Sequence, residues 1–344
     1  ENDLVSSQLG DGFLRNYFWD TDIGFWRFSH EKSLYISNGN LLSAERPGGR
    51  VIYFDREVDA EGNTLYWSDR RSWIKVYPHV DGLFRMEWLG SLEEYDSQGR
   101  LLRVISKKGD VTDFIQNHLD NSVVVSDSST NQTFTFFYQP YELGVSFTDT
   151  KKIIRIVDSI GQVYRYSYNA NGMIEYVSFP DDTPNAIGAN PFGEDNSFKQ
   201  YHYEDLNYPT ALTGITDELG NRSFTWAYDS EGRTILSKHD SVGVVDQVTL
   251  DFSFVDDPVQ PRVIETNSLG YRSTFHYAEI DGERKVTLVE RDAHTNSADA
   301  SISCAAANQH TTYDATGYKD LVTDWQGNVT DFDYDDRGLE ISRV

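Results

Sequence analysis

One short pattern recurs along this chain, and its recurrence limits the fold more than any single residue does. An Asp stands three positions before a Gly, aromatics then alternate, and a Tyr-Asp or a variant leads to a second Gly. One copy runs from Asp158 and Gly161 through Tyr164, Tyr166 and Tyr168 to Gly172. Another runs from Asp217 and Gly220 through Phe224, Trp226 and Tyr228-Asp229 to Gly232-Arg233. A third holds Gly270, Phe275, Tyr277 and Gly282, and a fourth holds Asp324, Gly327, Phe332, Tyr334-Asp335 and Gly338. The two glycines lie 11 or 12 residues apart in each copy.

The chemistry of the pattern predicts a hairpin. In Asp217-Glu218-Leu219-Gly220, the Asp side chain bonds its own backbone and Gly takes the positive-φ position. Residues 223 to 228 then read as a strand, with Phe224, Trp226 and Tyr228 on one face and Thr225 and Ala227 on the other. A second turn at Tyr228 to Arg233 returns the chain through a strand from Thr234 to Lys238. One hairpin buries too little to stand alone in water, so the hairpins must stack. The expected fold is all-β: stacked hairpin repeats forming a continuous curved or spiralling antiparallel sheet.

Composition agrees. Aromatics make up 14% of 344 residues, and aromatic side chains suit a half-buried pleated surface. Formal net charge is −25, which disfavours nucleic acid and anionic lipid as partners and suits a solvated, acidic surface. The only cysteine is Cys304, so neither an internal disulfide nor a thiolate metal cluster is expected. No apolar run is long enough to span a membrane, and no signal peptide is visible. The first residue is Glu1 and the last residues follow a repeat turn, so the chain is expected to belong to a longer protein.

Residues 1–90 lack clear repeats but alternate as strands, with candidates from Ser33 to Ser37, Leu41 to Glu45, Arg50 to Arg56 and Thr64 to Ser68. Residues 91–344 carry the repeats, continuous with the first part, with insertions at about 179–199 and 292–310. Both insertions are placed at the surface rim, because loops of that length are functional or mobile.

Few residues offer chemistry. In Asp331-Phe332-Asp333-Tyr334-Asp335-Asp336, strand alternation puts Asp331, Asp333 and Asp335 on one face. Three carboxylates are a ligand set for calcium, and a solvated acidic face is the competing reading. Tyr201-His202-Tyr203 offers a Tyr and His pair of the kind that abstracts a proton beside a sugar carboxylate. Alternation, however, sends His202 to the face opposite both tyrosines. His276, between Phe275 and Tyr277, has the same geometry. No nucleophile elbow, zinc helix, phosphate loop or dinucleotide fingerprint is present, so no catalytic residue is assigned. The seven tryptophans, Trp19, Trp26, Trp67, Trp73, Trp88, Trp226 and Trp325, are dispersed. They are read as sheet core rather than as a sugar platform.

The pattern resembles the YD repeats of the Rhs family, in Tyr95-Asp96-x-x-Gly99-Arg100-Leu101, Tyr228-Asp229-x-x-Gly232-Arg233, Tyr313-Asp314-x-x-Gly317 and Tyr334-Asp335-x-x-Gly338. Flanking segments are similar too: Tyr201-His202-Tyr203-Glu204 with Ala211 to Asp217, and Thr323 to Thr330. Gly24 to His30, with the hairpin ending in Gly48-Gly49-Arg50-Val51, resembles the lead-in segment that precedes such repeats. The resemblance implies an arc of a hollow β-shell that encloses or displays a C-terminal effector lying outside these residues. It implies a secreted or cell-surface bacterial protein whose partner is that cargo or another protein. The expected role is a non-catalytic scaffold. Its alternatives are a carbohydrate-binding surface module, with a glycan as partner, and, further off, a polysaccharide lyase.

Overall fold

A computed structural model of the protein describes residues 15–20, 23–28, 30–47, 50–68, 74–88, 90–139, 152–180, 187–188, 190–241, 244–295, 303–335 and 338–344. Among them every regular element is a strand, and every strand pairing is antiparallel, as the alternation predicts. The chain divides into two compact units. One holds residues 1–211 with 217–220, and the other holds 212–216 with 221–344.

In the first unit, strands from Ser33–Ser37 to Phe198–His202 each pair with the next in sequence. Period-two alternation fixes which face is core. Leu34, Ala44 and Ile52 form one cross-strand row and are all buried. Tyr66, Val76 and Met86 form a second buried row. On the opposite face Arg85, Glu94, Arg103 and Asp113 stand in one row of alternating charge. Arg85 reaches Glu94 at 2.7 Å and Arg103 reaches Asp113 at 2.6 Å. A one-residue slip would break these pairs and turn one strand's charges onto the core face, so this ladder specifies register. A separate hairpin pairs Arg15–Asp20 with Ile23–Phe28.

In the second unit, strands from Gly214–Thr216 to Glu340–Arg343 follow the same neighbour-to-neighbour order. A two-residue hairpin, His294–Thr295 with Ser303–Cys304, sits between its longer strands. The expected strand from Thr234 to Lys238 continues to Ser241. The expected loop 292–310 ends earlier than the sequence suggested, because Ala307–Tyr313 is already a strand. Its first residues, Ala307-Asn308-Gln309-His310, alternate in exposure but carry no large apolar side chain, so nothing in their composition announces a strand. The other insertion also yields its last two residues to the Phe198–His202 strand. Part of each insertion lies outside the described residues.

One turn geometry recurs thirteen times among the described residues. It begins at Asp59, His79, Asp96, Ser106, Asp158, Asn169, Asn190, Asp217, Asp229, Asn267, Asp314, Asp324 and Asp335. In each, the amide of a Gly three residues on donates to the first residue's carbonyl, and that Gly has positive φ. This is a type I turn closed by a glycine bulge. The bulge leaves amides inside the turn without ladder partners, and the leading side chain takes them, except at His79, where Asp81 Oδ1 accepts the Leu83 amide. Asp229 Oδ1 accepts from the amides of Glu231 and Arg233, both at 2.9 Å. Ser106 Oγ does the same for Lys108 and Asp110. These bonds favour the carboxylate form. Bonds from the Asn328 side chain and amide are the leading reason that Asp324 sits below the usual carboxylate range.

The pattern's tyrosine has an equally local task. Several hairpins carry a further bulge, one extra residue on one strand. The extra residue is Ile154, Glu175 and Thr287 in three of them. The carbonyl just before each faces the next strand and receives a tyrosine hydroxyl. Tyr168 donates to Ile153 at 2.8 Å, Tyr203 to Ile174 at 2.8 Å and Tyr313 to Val286 at 2.9 Å. Tyrosine thus satisfies an acceptor that the bulge takes out of the ladder. Tyr168→Phe is expected to cost about 1 kcal/mol by leaving that carbonyl unpaired. Urea unfolding checks it, and a lowered midpoint with unchanged slope is the expected result.

Candidate functional site

Among the described residues, a buried ionic cluster stands out that no sequence pattern announced. The row Tyr66, Val76, Met86 continues directly onto Glu93. A carboxylate therefore occupies a core position at 1% exposure. Its partners come from the opening hairpin of the meander. Lys32 immediately precedes the Ser33–Ser37 strand, and Arg46 immediately follows Asn40–Glu45.

Both oxygens of Glu93 are doubly engaged. Oε1 accepts from Lys32 Nζ and from Arg46 Nη2, each at 2.7 Å. Oε2 accepts from Arg46 Nη1 at 2.8 Å and from the Tyr95 hydroxyl at 2.6 Å. Arg46 Nη1 also donates to the Tyr95 oxygen at 3.0 Å. The guanidinium lies 4.4 Å from the centroid of the Trp88 ring, a cation–π contact on its remaining face. Burial works against ionisation of Glu93, but the Arg46 bond and the Lys32 and Arg46 charges outweigh it, holding the carboxyl at about 2. Burial beside Glu93 pushes the Tyr95 hydroxyl well above its ordinary value.

A second tie lies next to it. The Leu34 amide donates to the Gly99 carbonyl at 2.9 Å, and Ser33 bridges Arg100. The opening strand of the meander is thereby joined to the turn of the Tyr95-Asp96 repeat. Glu93 has four lone-pair sites and four donors, so no acceptor capacity is left for a substrate. The cluster is built to hold strands together.

The residues singled out from sequence are placed as follows. Tyr201 is buried with its ring edge-on to Trp26, centroids 5.1 Å apart. Tyr203 accepts from Trp26 Nε1 at 2.7 Å and spends its own proton on the Ile174 carbonyl. His202 Nδ1 stands 3.7 Å from Glu204, so the tyrosines and the histidine do not converge on one point. His276 Nε2 is 2.7 Å from Glu290. Asp331 and Asp333 are exposed, whereas Asp335 opens a turn and accepts the Leu339 amide at 3.0 Å. Asp336 lies outside the described residues. Among the described residues no three His, Cys, Asp or Glu side chains gather as a metal site. Cys304 is exposed, with Sγ 3.9 Å from the Tyr271 hydroxyl.

Five tryptophan side chains are described, and all are half-buried. Trp67 lies under Lys75, Trp88 under Arg46 and Trp325 under Arg291. Trp226 stacks on Phe224, and Trp26 meets Tyr201. Trp19 and Trp73 have no described side chain. Among the described residues the exposed Trp, Tyr and Phe side chains are instead Tyr35 and Tyr53, at 62% and 74%. They flank Ser43 in one cross-strand row of the outer face. The second unit carries an open cleft of about 560 Å³ lined by Glu231, Arg233, Phe252 and Asp256 among others.

No family model matches the chain, and no curated protein matches it. Solved structures of toxin complexes are similar to it. A crystal structure of TcdB2-TccC3-Cdc42 matches with a TM-score of 0.49 and 13% identity, over 98% of this chain and 18% of that one. A crystal structure of TcdB2-TccC3 matches at 0.48 and 15%, over 97% and 19%. The Photorhabdus luminescens Tc holotoxin pore matches at 0.23 and 10%, over 92% and 18%. The chain therefore spans less than a fifth of the length of each of these chains. Among the described residues no helix is long and apolar enough to cross a membrane.

Proposed function

We propose that this chain is a non-catalytic wall segment of a secreted or cell-surface bacterial protein, and that it encloses or displays an effector carried elsewhere in the polypeptide. One observation carries this reading: the residues that define the repeat are consumed by the sheet itself. Its aspartates accept turn amides, its glycines occupy positive φ, and its tyrosines satisfy bulge carbonyls. The buried Glu93 cluster is saturated by its own partners. The YD pattern found in the sequence supports the same reading.

The test is protection. In the longer protein, a tryptic site within the effector should be cut slowly while the wall is intact and rapidly once Gly99→Ala loosens it. Equal cutting rates in both would sink the enclosure reading. Hydrolysis or lysis of a defined substrate by residues 1–344 alone, abolished by one point substitution, would sink the non-catalytic one.

A second reading has one observation in its favour. Tyr35 and Tyr53 stand two strand spacings apart, about 9.6 Å, on an exposed face with a small Ser43 between them. Two exposed rings at that spacing suit stacking on neighbouring sugars of a glycan. Loss of glycan-array binding in Tyr53→Ala supports this reading, and an array without hits for the intact chain ends it.

A further inference from the structure

Two Asn-Gly dipeptides occur in the chain, Asn38-Gly39 and Asn171-Gly172. Asn-Gly is prone to a reaction within its own main chain, because glycine has no Cβ to crowd attack by its nitrogen on the preceding side chain. The fold treats the two dipeptides differently.

Asn171 is held on every side that matters. Its amide donates to Asn169 Oδ1 at 3.0 Å, and its side chain donates to the Pro209 carbonyl at 3.2 Å. The Gly172 amide, whose nitrogen would attack, donates to the Asn169 carbonyl at 2.9 Å. Lys152 stands close by, since a Cβ added to Gly172 would lie 2.9 Å from its Nζ.

Asn38 is free by comparison. Asn38-Gly39 is the two-residue loop between Ser33–Ser37 and Asn40–Glu45, with Ser37 facing Asn40. Both loop residues take positive φ, +51° and +76°, as a type I′ turn requires. Both are exposed, and nothing lies within 4 Å of a Cβ added to Gly39. Among the described residues neither the Asn38 side chain nor the Gly39 amide makes a hydrogen bond within the protein. Asn40 Nδ2 reaches only the main-chain carbonyl of Asn38, at 3.4 Å.

We propose that Asn38 is a self-modification site at which this hairpin ages. The Gly39 nitrogen gives its proton to solvent and bonds to Asn38 Cγ. The Cγ–Nδ2 bond breaks, ammonia leaves, and a succinimide ring closes. Water then opens the ring. Opening at the side-chain carbonyl leaves an aspartate, and opening at the main-chain carbonyl leaves an isoaspartate. No oxidant, metal or second protein takes part.

The two products differ in effect. Aspartate visits positive φ much as asparagine does. Isoaspartate adds a methylene to the main chain of a loop whose length fixes the hairpin register. That hairpin carries the two cations of the Glu93 cluster, Lys32 just before its first strand and Arg46 just after its second. Ageing at Asn38 therefore loosens the tie between the opening strand and the rest of the meander.

The test is a time course. The 344-residue protein is held at mildly alkaline pH, sampled over days and mapped by tryptic mass spectrometry, with isoaspartate counted by enzymatic methylation. In the folded protein Asn38 should convert at least roughly tenfold faster than Asn171, whose hydrogen bonds must open first. In urea the two rates should converge. Asn38→Gly keeps the positive-φ turn but has no side-chain carbonyl to attack. The aged parent should melt below its fresh sample, and Asn38→Gly aged in the same way should not. The proposal is overturned if Asn38 stays intact, if Asn38 and Asn171 convert at equal rates in the folded protein, or if their difference persists unchanged in urea. An aged parent that loses no more stability than aged Asn38→Gly would overturn it as well.

Discussion

Gly99→Ala is expected to destabilise the first unit by about 3 kcal/mol and to lower its melting temperature by roughly 6–12 °C. Two separate effects add at this residue. Gly99 has φ of +81°, a region that costs a residue with a Cβ about 1–2 kcal/mol. An added Cβ would also drive into the backbone carbonyl of Leu34. That carbonyl belongs to the core strand whose amide bonds Gly99, so it cannot retreat without losing the tie between the opening strand and the repeat turn. Gly62→Ala is the control. Gly62 occupies the same turn position with φ of +85°, but nothing lies within 4 Å of its added Cβ. It should show the backbone cost alone. Equal losses for the two variants would mean that the close approach to Leu34 contributes nothing.

This contrast also marks what the sequence could reveal. The Gly in Asp-x-x-Gly announces positive φ wherever it stands, because the turn is local. The expected strands from Ser33 to Ser37 and from Thr64 to Ser68 match the observed ones end for end for the same reason. Gly99 and Gly62 share the Asp-x-x-Gly pattern, and only tertiary contact puts Leu34 against one of them. His79 and Ser106 open the same turn as the aspartates, yet they hide the repeat because the first position was read as Asp. The tyrosine in Tyr-Asp was legible as part of a strand. Its hydrogen bond was not, because the carbonyl it meets becomes available only through a bulge on the neighbouring strand. Glu93 was least legible of all. It stands beside Glu94, and alternation requires one of the two to face inward without saying which. Its partner Arg46 lies 47 residues away. The signal that could have found it is a carboxylate sharing the parity of Tyr95, next to a strand where Phe84 and Met86 face the core.

Glu93→Ala should cost about 3–5 kcal/mol, because it leaves Arg46 buried at 7% exposure without its carboxylate. The pH dependence identifies the cause. The Glu93 carboxyl is held at about 2 against an ordinary 4.5, so the folded state binds its proton more weakly than the unfolded chain does. Its contribution is complete above about pH 4.5 and is lost as pH falls toward 2. The difference of about 2.5 units corresponds to on the order of 3 kcal/mol. Other carboxylates, Asp324 among them, are depressed as well, so the whole protein will weaken in acid. The diagnostic quantity is the stability gap between the parent and Glu93→Gln. That gap should be widest near pH 6 and should shrink toward pH 2, where the parent's own Glu93 takes up its proton. A gap that stays constant from pH 6 to pH 2 would remove the ionic account of the cluster. The double variant Arg46→Met with Glu93→Leu completes the argument. It removes both buried charges, and Lys32, 22% exposed, can swing its ammonium into water. It should recover most of the stability lost in Glu93→Ala and lose the Glu93 share of the acid slope. Recovery with a flatter acid profile would mean that the cluster sets which strands meet and adds little net stability over an apolar core.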